Sequence, residues 1–176
     1  MKYKGIPFLV FIFLLNTAIS QTAHEGFMNS KITTNVSGDY NHWVHGDNSI
    51  VAETANDLNS WSYSYMGLEG SLETATADDF SAWKVKDLDI TITAEDPTFK
   101  QWQIVSEGKS VTLSTSNWNS WAITGDLVSG ISTTVTDNFS EWEIQGGDWT
   151  TFSPNYRASI IFVSVISSTI LKDLSK

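Results

Sequence analysis

The chain has 176 residues, a formal charge of −10, three histidines and no cysteine. With no basic patch to displace counterions, nucleic acid and anionic membrane surfaces are excluded as partners. Disulfides and thiolate chemistry are excluded too, so burial and backbone pairing must hold the fold together.

Residues 1–20 read as a cleaved secretory signal peptide. Lys2 and Lys4 form a basic start, Ile6 to Leu15 is an apolar run, and Asn16 to Ser20 is polar with small residues at Ala18 and Ser20. The run is shorter than the roughly 20 residues that a membrane span needs. Cleavage after Ser20 makes Gln21 the mature N-terminus and, with Lys2 and Lys4 gone, takes the formal charge from −10 to −12. Residues 21–176 are expected to form one all-β repeat domain in an extracytoplasmic place: periplasm, cell surface or medium.

A motif then recurs six times, with an aromatic residue or Leu three positions before a Trp: Tyr40/Trp43, Leu58/Trp61, Phe80/Trp83, Phe99/Trp102, Trp118/Trp121 and Phe139/Trp142. The segment after each Trp alternates, as in Trp83-Lys-Val85 and Trp142-Glu-Ile144. Trp and its Ile, Val or Tyr therefore share one face of a strand, with Lys, Glu, Gln or Thr on the other. Only Trp43-Val-His45 is a weak copy. Segments ahead of the motif alternate too, as in Leu88/Ile90/Ile92 and Val111/Leu113/Thr115. Tight turns such as Gly46-Asp47-Asn48, Glu107-Gly108-Lys109 and Gly125-Asp126 join the units. At the other end, Asp39, Asp57, Asp79, Asn117 and Asn138 open a corner by side-chain bonding to backbone two residues on, and the aromatic folds beside the Trp. In the fourth copy Glu95-Asp96-Pro97-Thr98 is expected to replace this chemistry, with Pro97 setting the bend.

These units predict about twelve short strands in an up-and-down antiparallel meander, with a β-solenoid as the alternative. Strands near six residues are too short for a membrane barrel, which needs about 9 to 11 per strand. In the tail (154–176), Ser153-Pro154 reads as a helix start and Ala158 to Leu171 is apolar or small throughout. The reading is a helix lying against an apolar part of the sheet, too short to span a membrane.

Few residues advertise chemistry. His42 and His45 fall on opposite strand faces and cannot converge on one metal. Carboxylate pairs such as Asp78/Asp79 and Glu141/Glu143 read as a wet face, so no catalytic, metal or cofactor site is assigned. Asn35-Val36-Ser37 and Asn138-Phe139-Ser140 match the glycosylation acceptor pattern, the second being the repeat's own corner. The repeat Trp residues alternate in phase with aliphatics and read as core. Trp118 and Trp149 are the candidates for ligand contact. The expectation is an exported, non-enzymatic β-repeat protein serving as a structural or protein-interaction module. The alternative is a carbohydrate-binding module built on exposed aromatics. The partner would be a protein or a glycan, and self-association is compatible with either.

Overall fold

The computed structural model describes residues 25–106 and 108–174. The signal segment, His24 and Glu107 lie outside these. Twelve strands run in chain order: β1 (Ile32–Thr34), β2 (His42–His45), β3 (Asn48–Ala52), β4 (Ser60–Tyr65), β5 (Leu68–Thr76), β6 (Asp79–Val85), β7 (Ile90–Ala94), β8 (Gln101–Ser106), β9 (Lys109–Ser114), β10 (Ser120–Gly125), β11 (Ser129–Thr133) and β12 (Glu141–Gln145). Every strand pairs antiparallel with its sequence neighbours, and β1 pairs with β12 to close a barrel. The meander is confirmed and the solenoid is not. Tight Gly/Asp turns reverse the chain at each step, and closure leaves no open strand edge.

The alternation read from sequence sets the two faces of the wall. Trp43, Trp61, Trp83, Trp102, Trp121 and Trp142 all point inward and are at most 1% exposed. Cross-strand partners extend this inner layer: Trp43 opposes Ile50, Trp83 opposes Ile92, Trp102 opposes Leu113 and Trp121 opposes Ile131. His45, the weak copy, is inward and buried as well. Outward positions are mostly small and polar: Ser62 and Ser64 on β4, Thr91 and Thr93 on β7, Gln103 on β8, Glu143 and Gln145 on β12. That is the reverse of a membrane barrel, whose outward band is apolar. Among the described residues no helix is long and apolar enough to cross a membrane.

After β12 the chain makes a short 3-10 turn (Trp149–Thr151) and enters helix α1 (Pro154–Ile166). Ser153 caps α1 by accepting the Tyr156 N–H, and Pro154 occupies its first turn. The helix runs on through a π-helical stretch (Ser167–Leu171) to a last turn at Lys172–Leu174. It lies against the apolar face of the sheet, as the sequence suggested, and that face is the inside of the barrel. It occupies the bore, and from Tyr156 to Thr169 every side chain is buried. A helix apolar all round has no wet face to offer, so the arrangement that covers every side is the stable one. Three of its hydroxyls are satisfied within the helix, where Ser159, Ser164 and Thr169 donate to the carbonyls four residues back, while Ser167 Oγ is buried without a partner among the described residues. Tyr156 donates to the Ile104 carbonyl of the wall at 2.6 Å. Near the entrance, Tyr63 leans into the space left by Gly70, where a Cβ would stand 2.3 Å from the phenolic oxygen, and donates to Asn155.

Candidate functional site

In an antiparallel meander all the motif corners fall at one end of the barrel, and there they form a rim. Each corner contains an Asx turn. The backbone N–H groups of Asn41, Asn59, Ser81, Asn119 and Ser140 donate to Asp39, Asp57, Asp79, Asn117 and Asn138 at 3.0 to 3.2 Å. The fourth corner corrects the sequence reading. Asp96 accepts the Thr98 N–H at 2.7 Å, so the Asx turn is kept and merely offset ahead of Phe99. Four corners are preceded by a left-handed residue (Gly38, Asn56, Asp78, Asp137), which turns the chain sharply enough for the aromatic to fold back. Neighbouring corners are also tied together. Asn59 accepts the Asp78 N–H and Asn119 accepts the Asp137 N–H, both at 2.7 Å, while the Gly38 N–H reaches Ser140 across the closure seam.

The aromatic–Trp spacing has a specific cause. The indole N–H of Trp43, Trp61, Trp83, Trp102 and Trp142 donates to the carbonyl of the residue three back, at 2.9 to 3.2 Å. The ring can thus be buried with its one polar atom satisfied. In the fifth copy Ser168 of the central helix stands between: Trp121 donates to its hydroxyl at 2.9 Å, and that hydroxyl donates to the Trp118 carbonyl at 2.8 Å. Ser168→Ala should strand a buried N–H and a carbonyl together, lowering stability by about 1–3 kcal/mol. A urea titration with unchanged slope checks this, and Ser168→Thr should recover part of the loss.

The corner aromatics themselves are only half-buried. Tyr40, Phe80 and Phe99 stack on their Trp at interplanar angles of 13°, 27° and 16°, which covers one face of each ring. Two other rings carry cations of the chain itself: Lys172 Nζ lies 3.5 Å from the Phe139 centroid and Lys100 Nζ 5.4 Å from that of Trp118. Carboxylates stand around the rim at Asp39, Asp57, Asp78, Asp79 and Asp137, all exposed, with Asp96 half-buried. Hydrogen bonds hold several below the usual carboxylate range: the Asn41 backbone on Asp39, the Asn59 backbone on Asp57, and the Ser81 hydroxyl on Asp79. At Asp96 burial opposes the shift and is outweighed by bonds from the Thr98 hydroxyl and backbone. Those four carboxylates therefore stay ionised to lower pH than an unperturbed aspartate does.

Of the two sequence candidates, Trp118 is on this rim, half-buried, with Lys100 over its ring. Trp149 is not: it is 0% exposed at the opposite end, its N–H shared between Ser129 and Gly146. A ligand has no face of that ring to meet. The structure does not bring the two together. The rim aromatics were legible as corner clasps, but their gathering at one end follows only once the units are drawn as a meander.

The opposite end holds a buried polar cluster rather than a cleft. His45 Nε2 lies 3.0 Å from the Phe27 carbonyl and Nδ1 2.6 Å from the Tyr65 hydroxyl. A carbonyl only accepts, so Nε2 carries the proton and Nδ1 accepts from Tyr65. Phe27 packs edge-on against His45, and the Arg157 guanidinium sits 5.2 Å from the Phe27 centroid. Burial lowers the His45 pKa from 6.5 to about 4. As pH falls through that interval the unfolded chain takes up a proton that the folded chain does not. Stability should therefore be flat above the unfolded pKa and fall by roughly 3 kcal/mol as pH drops toward the folded one. Rim carboxylates with lowered pKa act at still lower pH. Urea midpoints measured across the interval check this, and His45→Gln should remove the slope while lowering stability at neutral pH.

Among the described residues no group of three or more His, Cys, Asp or Glu side chains is arranged to hold a metal ion. The grooves that the surface offers are open ones, such as that between Leu68 and Leu88 over Tyr63. No protein-family model matches the chain, and neither a curated protein nor a solved structure is significantly similar to it.

Proposed function

We propose that this is an exported, non-enzymatic β-repeat protein that acts as a structural or protein-interaction module, with the corner rim as its contact surface. One observation carries the reading. The interior is consumed by the central helix and six indoles, so the groups left to meet a partner are outward ones, and at the rim these are half-exposed aromatic rings set among carboxylates. A closed wall of paired strands gives such a surface a fixed shape. The basic–apolar–polar order of residues 1–20 supports export.

A photo-crosslinking side chain at Ala77, on the rim, and at Thr93, on the wall, tests the reading in the producing cells. A discrete protein adduct from Ala77 is the expected result. Absence of protein adducts from both positions, with specific retention on a glycan array, would replace it by the carbohydrate-binding alternative. The platform for sugar would then be Tyr40, Phe80 and Phe99, because the repeat indoles are buried.

A further inference from the structure

We infer that the corner rim binds a lysine- or arginine-rich segment of a partner protein, whose cationic side chains lie on the half-exposed faces of Phe80, Phe99 and Tyr40 among the rim carboxylates. This rests on the interaction-module reading and names its partner class.

The chain itself shows the mode of contact. Lys172 covers Phe139 and Lys100 covers Trp118, so two of the six corners already hold a cation over the corner ring. Phe80, Phe99 and Tyr40 occupy the equivalent corner position, stacked on their own Trp where Phe139 is tilted and Trp118 edge-on, and no lysine or arginine of the described residues lies over them. The face that each ring turns away from its Trp is electron-rich, and a cation there gains from the ring quadrupole. The neighbouring residues are carboxylates: Asp78 and Asp79 ahead of Phe80, Asp96 ahead of Phe99, Asp39 ahead of Tyr40. A guanidinium or ammonium group on such a ring would have a carboxylate within side-chain reach, whereas an anionic or neutral partner would gain from neither. Net charge acts in the same direction, since an acidic surface speeds the approach of a basic segment.

Spacing adds a further constraint. Successive corners are two strands apart, hence about 10 Å along the rim. A peptide in the polyproline II conformation has three residues per turn, so it advances about 9 Å per turn and presents every third side chain on the same face. Cations at every third position would therefore match Phe80 and Phe99, which occupy adjacent corners, while Leu58 interrupts the run between Phe80 and Tyr40.

The natural second copy supplies the test variant, because Leu58 shows that leucine is accommodated at the corner position. A fluorescent peptide with lysine at every third position and serine between is titrated into the purified protein and into the Phe80→Leu/Phe99→Leu variant. The wild-type protein should bind, more weakly as salt rises, and the double variant should bind about five- to tenfold more weakly. In the wild-type NMR spectrum, the amides of residues 78–81, 95–96 and 98–100 should shift on peptide addition, a readout that needs no variant to fold. Absence of binding at low salt, equal affinity for the variant, or shifts confined to other residues would each overturn the inference. If that happens while the Ala77 crosslink persists, only the basic-segment inference falls. Loss of the crosslink as well removes the interaction reading beneath it.

Discussion

A chain ending at Ser153 is expected to be unfolded, with random-coil circular dichroism, red-shifted tryptophan emission and a collapsed amide spectrum. The reason is what the missing residues touch. Ile160, Ile161, Phe162, Val163, Val165 and Ile166 are each at most 1% exposed. Burying such side chains contributes about 1.5–3 kcal/mol apiece, so the six together are worth roughly 9–18 kcal/mol. That is comparable with the whole net stability of an ordinary domain, about 5–15 kcal/mol. Truncation also strips the wall of its inner neighbours. Trp61 and Trp83 lose Phe162, and Trp121 loses the Ser168 hydroxyl that takes its N–H. A twelve-stranded barrel without its helix would enclose either a void or water against indole rings, and neither is tolerable. A dispersed, native-like spectrum from the shortened chain would show instead that strand pairing alone maintains the wall.

The wall was legible in the sequence because its code is local. Trp83-Lys-Val85 and Trp142-Glu-Ile144 assign inside and outside residue by residue, and Gly46-Asp47 and Gly125-Asp126 say where the chain reverses. Closure was not legible, since alternation shows that a strand has a dry face without showing what covers it. The clue to the covering lay in the tail. Ala158 to Leu171 lacks a polar stripe, and Ser159, Ser164 and Thr169 behave as small apolar residues because they bond within the helix. Read as an ordinary surface helix, such a segment has no face to show to water. The corner at Asp96 was missed for a related reason. Pro97 drew attention to φ, while the Asx turn had moved two residues upstream of its usual place. The rim was half-legible: its aromatics and acids were identified singly, yet their convergence is a property of topology. Trp149 follows Gly146-Gly147-Asp148, a context that resembles an exposed loop. Its burial depends on Phe27 packing at 5.3 Å from a segment 122 residues earlier in the chain.

Phe162→Ala should be the most damaging single truncation in the helix, lowering stability by about 3–5 kcal/mol. Phe162 is the point where helix and wall interlock. Its ring meets Trp61 at 5.5 Å and 64° and Trp83 at 5.0 Å and 70°, both edge-to-face. Such pairs contribute about 0.5–1.5 kcal/mol each beyond the area they bury. The cavity left by alanine cannot easily collapse, because Trp61 and Trp83 are held by their own indole bonds to Leu58 and Phe80. Rotating either ring inward would break that bond. The wall between them is fixed by the antiparallel ladders of β4 with β5 and β5 with β6. Phe162→Leu keeps most of the volume while removing the ring quadrupole, so it should cost less than alanine, about 1.5–3 kcal/mol. Urea unfolding with an unchanged slope gives both values, and near-ultraviolet circular dichroism should lose tryptophan ellipticity in the alanine variant. A loss below about 1 kcal/mol for alanine would mean that the wall closes over the gap. In that case the indole clasps do not set the bore, and the helix is held by area alone.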